Sequence, residues 1–242
     1  MLAGFIDAVV GGGGLIQLPA VLILLPGVPV PTLLGTNKFA SFFGTSVAVQ
    51  RYARHVSIDW KLIAPAAFSA GVFAFIGSRA VTLLNPAVLR PLVLVLLIAV
   101  AIYVFLVKEL GLIHRPKHPP GKARWLAMLI GAVIGFYDGF FGPGTGSFLI
   151  FAFVGIFGFD FLSASASAKA VNWTTNIASL LYFATHGNVL YGAGLAMAAS
   201  NIVGATLGAH FAIAKGSRFV RVFFLVIVCG LIAKVAQTML SG

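Results

Sequence analysis

Runs of apolar residues long enough to cross a lipid bilayer recur along this chain, at 33–50, 62–84, 87–107, 124–142, 165–185, 189–213 and 219–240. About 20 such residues span a hydrocarbon core about 30 Å thick. Inside that core every backbone N–H and C=O must be satisfied by the chain itself, which leaves helices or a closed barrel. The runs are continuous rather than alternating, so the fold class is all-α, a polytopic helical membrane protein. Two shorter apolar pieces, 15–26 and 146–158, follow glycine-rich breaks and leave full crossing and re-entry both open.

The chain also repeats itself. GFIDAVVGGGG beginning at Gly4 resembles GFYDGFFGPGT beginning at Gly135, and the same offset of 131 pairs Gly27 with Gly158, Lys38 with Lys169, His55 with His186 and Gly77 with Gly208. No gap is needed between these pairs. Paired Asp, Lys and His in a chain with only 9% charged residues point to duplication. The polar stretch KELGLIHRPKHPPGKAR is then the joint, giving a first membrane repeat at 1–107, a cytoplasmic linker at 108–124 and a second repeat at 125–242. The second copy has Arg124 to Ile134 before its Gly135, whereas Met1 to Ala3 precede Gly4, so the native chain is expected to start upstream.

Sixteen Lys and Arg residues give a formal charge of +11, but they sit mostly in short segments between apolar runs, as topology signals rather than a nucleic-acid surface. Arg51, Arg54 and Lys61 surround the loop after 33–50, whereas the corresponding loop near His186 has no Lys or Arg. Lys215, Arg218 and Arg221 fill the second copy's next loop, against Arg79 and Arg90 in the first. The positive-inside rule then places the linker and the loops at 51–61 and 215–221 in the cytoplasm. Equivalent loops face opposite sides, which is an inverted-topology repeat with glycine-broken helices or re-entrant hairpins.

Glycine breaks at corresponding points of two such halves point to a transporter's midplane site. Gly11–Gly14, with Gly12 and Gly13 at its centre, matches the run around Gly144 and Thr145, and helix ends exposed there offer N–H donors to an anion. Close packing through small residues is the plainer explanation of such glycines. Lys38 and Lys169 lie several residues inside apolar spans, where a charge costs about 2.5–3.5 kcal/mol even on lenient scales and should face a cavity or a partner. Asn37 accompanies the first, and Asn172, Thr174 and Asn176 the second, as candidate hydrogen-bond donors to a bound anion. Asp7 and Asp138 each precede a glycine break by four residues and are candidates for pairing with the lysines or carrying protons. Trp60, Trp125 and Tyr191 read as interfacial anchors, and Gly131-x-x-x-Gly135 and Gly204-x-x-x-Gly208 as helix contacts.

Other chemistries lack their signatures. There is no cysteine cluster around the single Cys229, no phosphate-binding loop, no dinucleotide fingerprint and no nucleophile with a clear base, so neither a metal nor a cofactor is expected and the chain is not read as an enzyme.

The motifs GFIDAVVGGGGLIQLPA, GTNKFA at 35–40, GFYDGFFGPGTGSF at 135–148 and AKAVNWTTNIASLLYF at 168–183 resemble the sulfite exporter TauE/SafE family over essentially the whole chain. That resemblance implies a multi-pass inner-membrane permease for sulfur oxyanions or organosulfonates such as sulfite or sulfoacetate, with protons as a candidate coupling ion. The expected function is therefore secondary transport of a small anion by alternating access. An anion channel built on the same residues is the alternative. The partners are the small anion and the lipid bilayer, and a homo-oligomer is left open.

Overall fold

A computed structural model of the chain describes residues 1–85 and 117–240. The expected span at 87–107, Arg90, most of the linker and the side chains of Arg221 and Cys229 lie outside the described residues. Those that are described form helices: α1 (Leu2–Val10), α2 (Gly14–Leu24), α3 (Val30–His55), α4 (Trp60–Thr82), α5 (Pro120–Phe140), α6 (Thr145–Gly155), α7 (Phe161–Thr185) and α8 (Tyr191–Leu240). The last is kinked at Gly216, whose φ of 70° is left-handed.

Local chemistry sets the boundaries. Prolines precede or open α3 and α5, where a missing N–H costs nothing. Asp59 caps α4 by accepting from Lys61 N, and Asp160 caps α7 by accepting from the backbone N–H groups of Leu162 and Ser163. Burial pushes the Asp160 carboxyl up, but hydrogen bonds from the Ser163 and Ser217 hydroxyls and from those two N–H groups outweigh it and hold the carboxyl below the usual carboxylate range. A depressed acid contributes stability above its unfolded pKa and loses it as pH falls through the folded one. Asp160→Ala is therefore expected to destabilise by about 0.5–2 kcal/mol at neutral pH, with the difference from wild type vanishing well below about pH 4. Thermal unfolding in detergent across pH measures this.

The bounds recur at the offset of 131. Gly14–Leu24 corresponds to Thr145–Gly155, the starts of α3 and α7 at Val30 and Phe161 correspond, and so do those of α4 and α8 at Trp60 and Tyr191. Contacts between the halves are reciprocal in the same way. Gly4 packs on Asn201 while Gly135 packs on Ala70, and Gly208 packs on Phe5 while Gly77 packs on Phe136.

α3 and α7 form the centre and cross antiparallel. At one end the Thr32 hydroxyl donates to Asn188 Oδ1 (3.1 Å) and Leu190 N donates to the Thr36 hydroxyl (2.9 Å). Further along, Trp173 Nε1 donates to the Ser46 hydroxyl (2.9 Å). The loops that follow α3 and α7 therefore lie at opposite ends of this pair. α4, α5 and the Tyr191–Val220 part of α8 are long and apolar enough to cross a membrane. They turn outward such side chains as Phe68, Leu129, Val133 and Leu195. α3 and α7 have comparable length but carry the polar residues; most of those side chains in α7 are buried, as are Thr36, Asn37, Lys38 and Thr45 of α3.

The glycine motifs do the packing expected of them. Gly131, Gly135 and Gly139 of α5 each lie against a backbone carbonyl of α4, at Ala66, Ala70 and Ala74, with no room for a Cβ. Gly204 and Gly208 hold α8 against α1 in the same manner. Trp60, Trp125 and Tyr191 are exposed at the starts of α4, α5 and α8.

Both ends of the α5–α6 unit lie at one end of the bundle. Lys117, just before α5, donates from its N to Phe157 O (3.2 Å) and from Nζ to Gly155 O (2.6 Å), just beyond and at the end of α6. The apolar piece at 146–158 thus returns to the side from which α5 started. Lys61, Lys117 and Arg124 converge there around a cavity of about 240 Å³, and Ser217 joins the same end by donating to Asp160 Oδ1 (2.6 Å).

Candidate functional site

The two glycine breaks meet inside the bundle. α1 ends on Gly11 in the left-handed region (φ 74°), and the α5–α6 break carries Gly142 and Gly144 there too (φ 98° and 84°). Gly11 lies against Gly146, and Gly14 against Pro143, with backbone so close that side chains would not fit at Gly11 and Gly146. The Ser147 hydroxyl donates to Val10 O and the Ser165 hydroxyl to Val9 O, both at 2.9 Å, which tie α6 and α7 to the end of α1. α2 and α6 both begin at this junction, so two positive helix ends point into it.

The ionisable groups pair across the halves. Lys38 Nζ lies 2.7 Å from Asp138 Oδ2, and Lys169 Nζ donates to Asp7 Oδ2 at 2.9 Å. Each lysine of one copy is held by the aspartate of the other. Both lysines are buried, and Asp138 is too, at 2% side-chain exposure against 23% for Asp7. The Lys38 ammonium sits against the break itself, since a Cβ on Gly142 would lie 3.2 Å from its Nζ.

An amide and hydroxyl chain extends from the first pair. Lys38 Nζ donates to Asn176 Oδ1 (3.4 Å), and Asn176 Nδ2 donates to Asn172 Oδ1 (3.3 Å) and to the Thr45 hydroxyl (3.4 Å). Thr45 and Asn176, 131 residues apart in sequence, are thus in mutual contact. Asn37 is buried nearby on α3, and its Oδ1 meets no donor among the described residues. The Thr145 hydroxyl turns into the break and donates to Gly142 O (2.7 Å), while Gly12, Gly13 and Gly144 are buried around the junction.

Thr174 stands apart. It lines a lateral cleft of about 690 Å³ with Trp60, Phe68 and Trp173, away from Asn172 and Asn176. Helical phase explains this: residues four apart share a face, whereas a residue midway between them points to the far side. Two amides not anticipated from the sequence also belong to the region. Asn201 Nδ2 donates to Gln17 Oε1 (3.0 Å), and both line a small polar cavity that reaches Asp7. Isolated amides in otherwise apolar helices were the available signal. Among the described residues no group of His, Cys, Asp and Glu has the arrangement of a metal site.

Comparison with known proteins bears on what such a centre serves. The family model described as "Sulfite exporter TauE/SafE" matches residues 1–235. The "Probable membrane transporter protein ORF9" of Sinorhizobium sp. is 36% identical over 226 residues, 93% of this chain and 85% of that protein. The "Probable membrane transporter protein YfcA" of Escherichia coli K12 is 35% identical over 237 residues, 97% and 86% of the two chains. A "Probable membrane transporter protein" of Haemophilus influenzae is 36% identical over 226 residues, 91% and 85%. No solved structure matches the chain. With apolar helices of membrane-crossing length, an internal charged centre at two broken helices and this likeness along nearly all its length, the chain belongs to the sulfite exporter TauE/SafE family of membrane transporters.

Proposed function

We propose that this protein is a multi-pass permease of the inner membrane that carries a small anion, a sulfur oxyanion or organosulfonate such as sulfite or sulfoacetate, by proton-coupled alternating access. The observation that carries it is the exchange of ion pairs between the halves, Lys38 with Asp138 and Lys169 with Asp7, beside two facing helix breaks. The paired charges sum to zero, so an anion entering the junction meets lysines already engaged. Protonating one aspartate releases its lysine to the anion, and anion and proton then enter together without adding net charge to a low-dielectric centre. The buried Asn37, Asn172 and Asn176 and the α2 and α6 ends around Gly12, Gly13, Gly144 and Thr145 supply hydrogen bonds to its oxygens.

Alternating access needs two halves that can exchange roles. The inverted arrangement is supported by the antiparallel crossing of α3 and α7, by the loops after them at opposite ends, and by the collection of Lys61, Lys117 and Arg124 at one end. The sulfur-oxyanion class rests on the family.

The test is uptake of labelled sulfite, sulfate, thiosulfate and a short sulfonate into proteoliposomes, with and without a pH gradient, for wild type and Lys169→Ala. Saturable flux of one anion that responds to the gradient and is lost in folded Lys169→Ala is the expected result. Non-saturating flux blind to the gradient would favour a channel, and flux indifferent to Lys169 would move the site elsewhere.

A further inference from the structure

The two aspartates occupy equivalent positions in sequence but unequal surroundings. Asp138 is sealed, at 2% side-chain exposure and with Lys38 on its carboxylate. Asp7 opens onto a cavity of about 10 Å³, room for about one water, lined also by Gly13, Gly14, Gln17, Ser41, Gly44 and Asn201. One lining group is left over: Gln17 Nε2 is buried and meets no hydrogen-bond partner among the described residues, although Gln17 Oε1 accepts from Asn201. A donor amide in that position suits a water oxygen.

The inequality is written into the sequence. At the offset of 131, Gln17 becomes Phe148, Asn201 corresponds to Ala70, Gly14 becomes Thr145 and Gly44 becomes Thr175. The second copy thus replaces the two amides by apolar side chains and two of the glycines by bulkier threonines. At the corresponding place in the second copy both amides are gone and two glycines carry side chains, so the polar groups left there are the hydroxyls of Thr145 and Thr175 and Asn172, the counterpart of Ser41.

We propose that Asp7 is the carboxylate through which this protein exchanges protons with water, by way of the one-water cavity under Gln17 and Asn201, and that Asp138 remains a fixed counter-ion of Lys38. This rests on the proton-coupled reading above and assigns the two acids separate tasks. Around Asp7, α7 presents Lys169 at 2.9 Å, and α3 presents Lys38 and Tyr52, both within reach of its charge. The Tyr52 hydroxyl is committed to Ala8 O (3.0 Å), and among the described residues α2 and α8 offer only the uncharged side chains of Gln17 and Asn201 at the cavity. The proton therefore moves between the Asp7 carboxyl and the cavity water, and Lys169 is the cation whose hold on Asp7 it loosens.

Infrared difference spectroscopy of the full chain in lipid, without substrate, reads this directly. Recorded as the pH is lowered from about 8, the spectra should show a protonated-carboxyl C=O band that shifts in D2O. The band should be lost in Asp7→Asn, kept in Asp138→Asn, and exchange much more slowly in Gln17→Phe, which installs the second copy's residue. If Asp138→Asn does not fold, the Lys38→Met/Asp138→Leu pair takes its place, and Gln17→Leu stands in for Gln17→Phe. A band lost with Asp138 instead, no band at all, or exchange unaffected by a folded Gln17 variant would overturn the proposal. Because no substrate is present, these failures are separate from an absence of sulfur-oxyanion flux.

Discussion

Lys38→Met should destabilise the protein by about 3–5 kcal/mol, because it leaves the Asp138 carboxylate buried without its cation. The same reasoning predicts that Lys38→Met/Asp138→Leu recovers most of the loss, since two apolar side chains of similar volume need neither hydration nor a partner. Stability and transport then separate: the double variant should unfold near the wild-type temperature in detergent and carry no anion. Fluorescence-detected thermal unfolding beside proteoliposome flux checks both halves of the statement. A double variant as unstable as the single one would mean that Lys38 acts through something other than Asp138. The Asn176 amide that also accepts from Lys38 is the first place to look.

Gly139→Ala carries the second large effect. A Cβ there falls inside the Ala74 carbonyl of α4, backbone against backbone, so no rotamer change relieves it and α4 and α5 must separate. Overpacking of this kind costs about 1–3 kcal/mol, and the rigidity of two facing helices puts the expected value at the upper end. Gly121→Ala on the same helix is the control, because nothing lies within 4 Å of its Cβ position and a neutral or slightly stabilising change is expected. Unfolding temperatures of the two variants in one detergent decide it. Equal shifts would mean that α4 and α5 are not held by this contact.

Much of this centre is legible in the sequence alone. A lysine or aspartate in an apolar run is conspicuous because the bilayer penalises it, and glycine pairs at a fixed offset mark where a helix stops. Lys38, Lys169, Asp7, Asp138 and both breaks were found in that way, and the structure brings them to one junction. What the repeat did not convey was partnership. An offset of 131 says which residues are equivalent, whereas the contacts run between non-equivalent ones, Lys38 to Asp138 rather than Lys38 to Asp7. Thr174 shows a different shortfall, since its neighbours Asn172 and Asn176 were grouped with it by proximity when helical phase separates them. Gln17 and Asn201 escaped because each is a single amide with its partner 184 residues away, and no local pattern links the two.

The crossed ion pairs also order events during synthesis. Lys38 is made 100 residues before Asp138, and Asp7 is made 162 residues before Lys169. At about 5–20 residues per second, the first lysine waits about 5–20 s and the first aspartate about 8–32 s for a counter-charge. Throughout that interval the emerging first half holds Asp7 and Lys38 without the partners they have in the finished fold. Each of the two pairs therefore needs residues from both halves, and neither can form until the second half has been made.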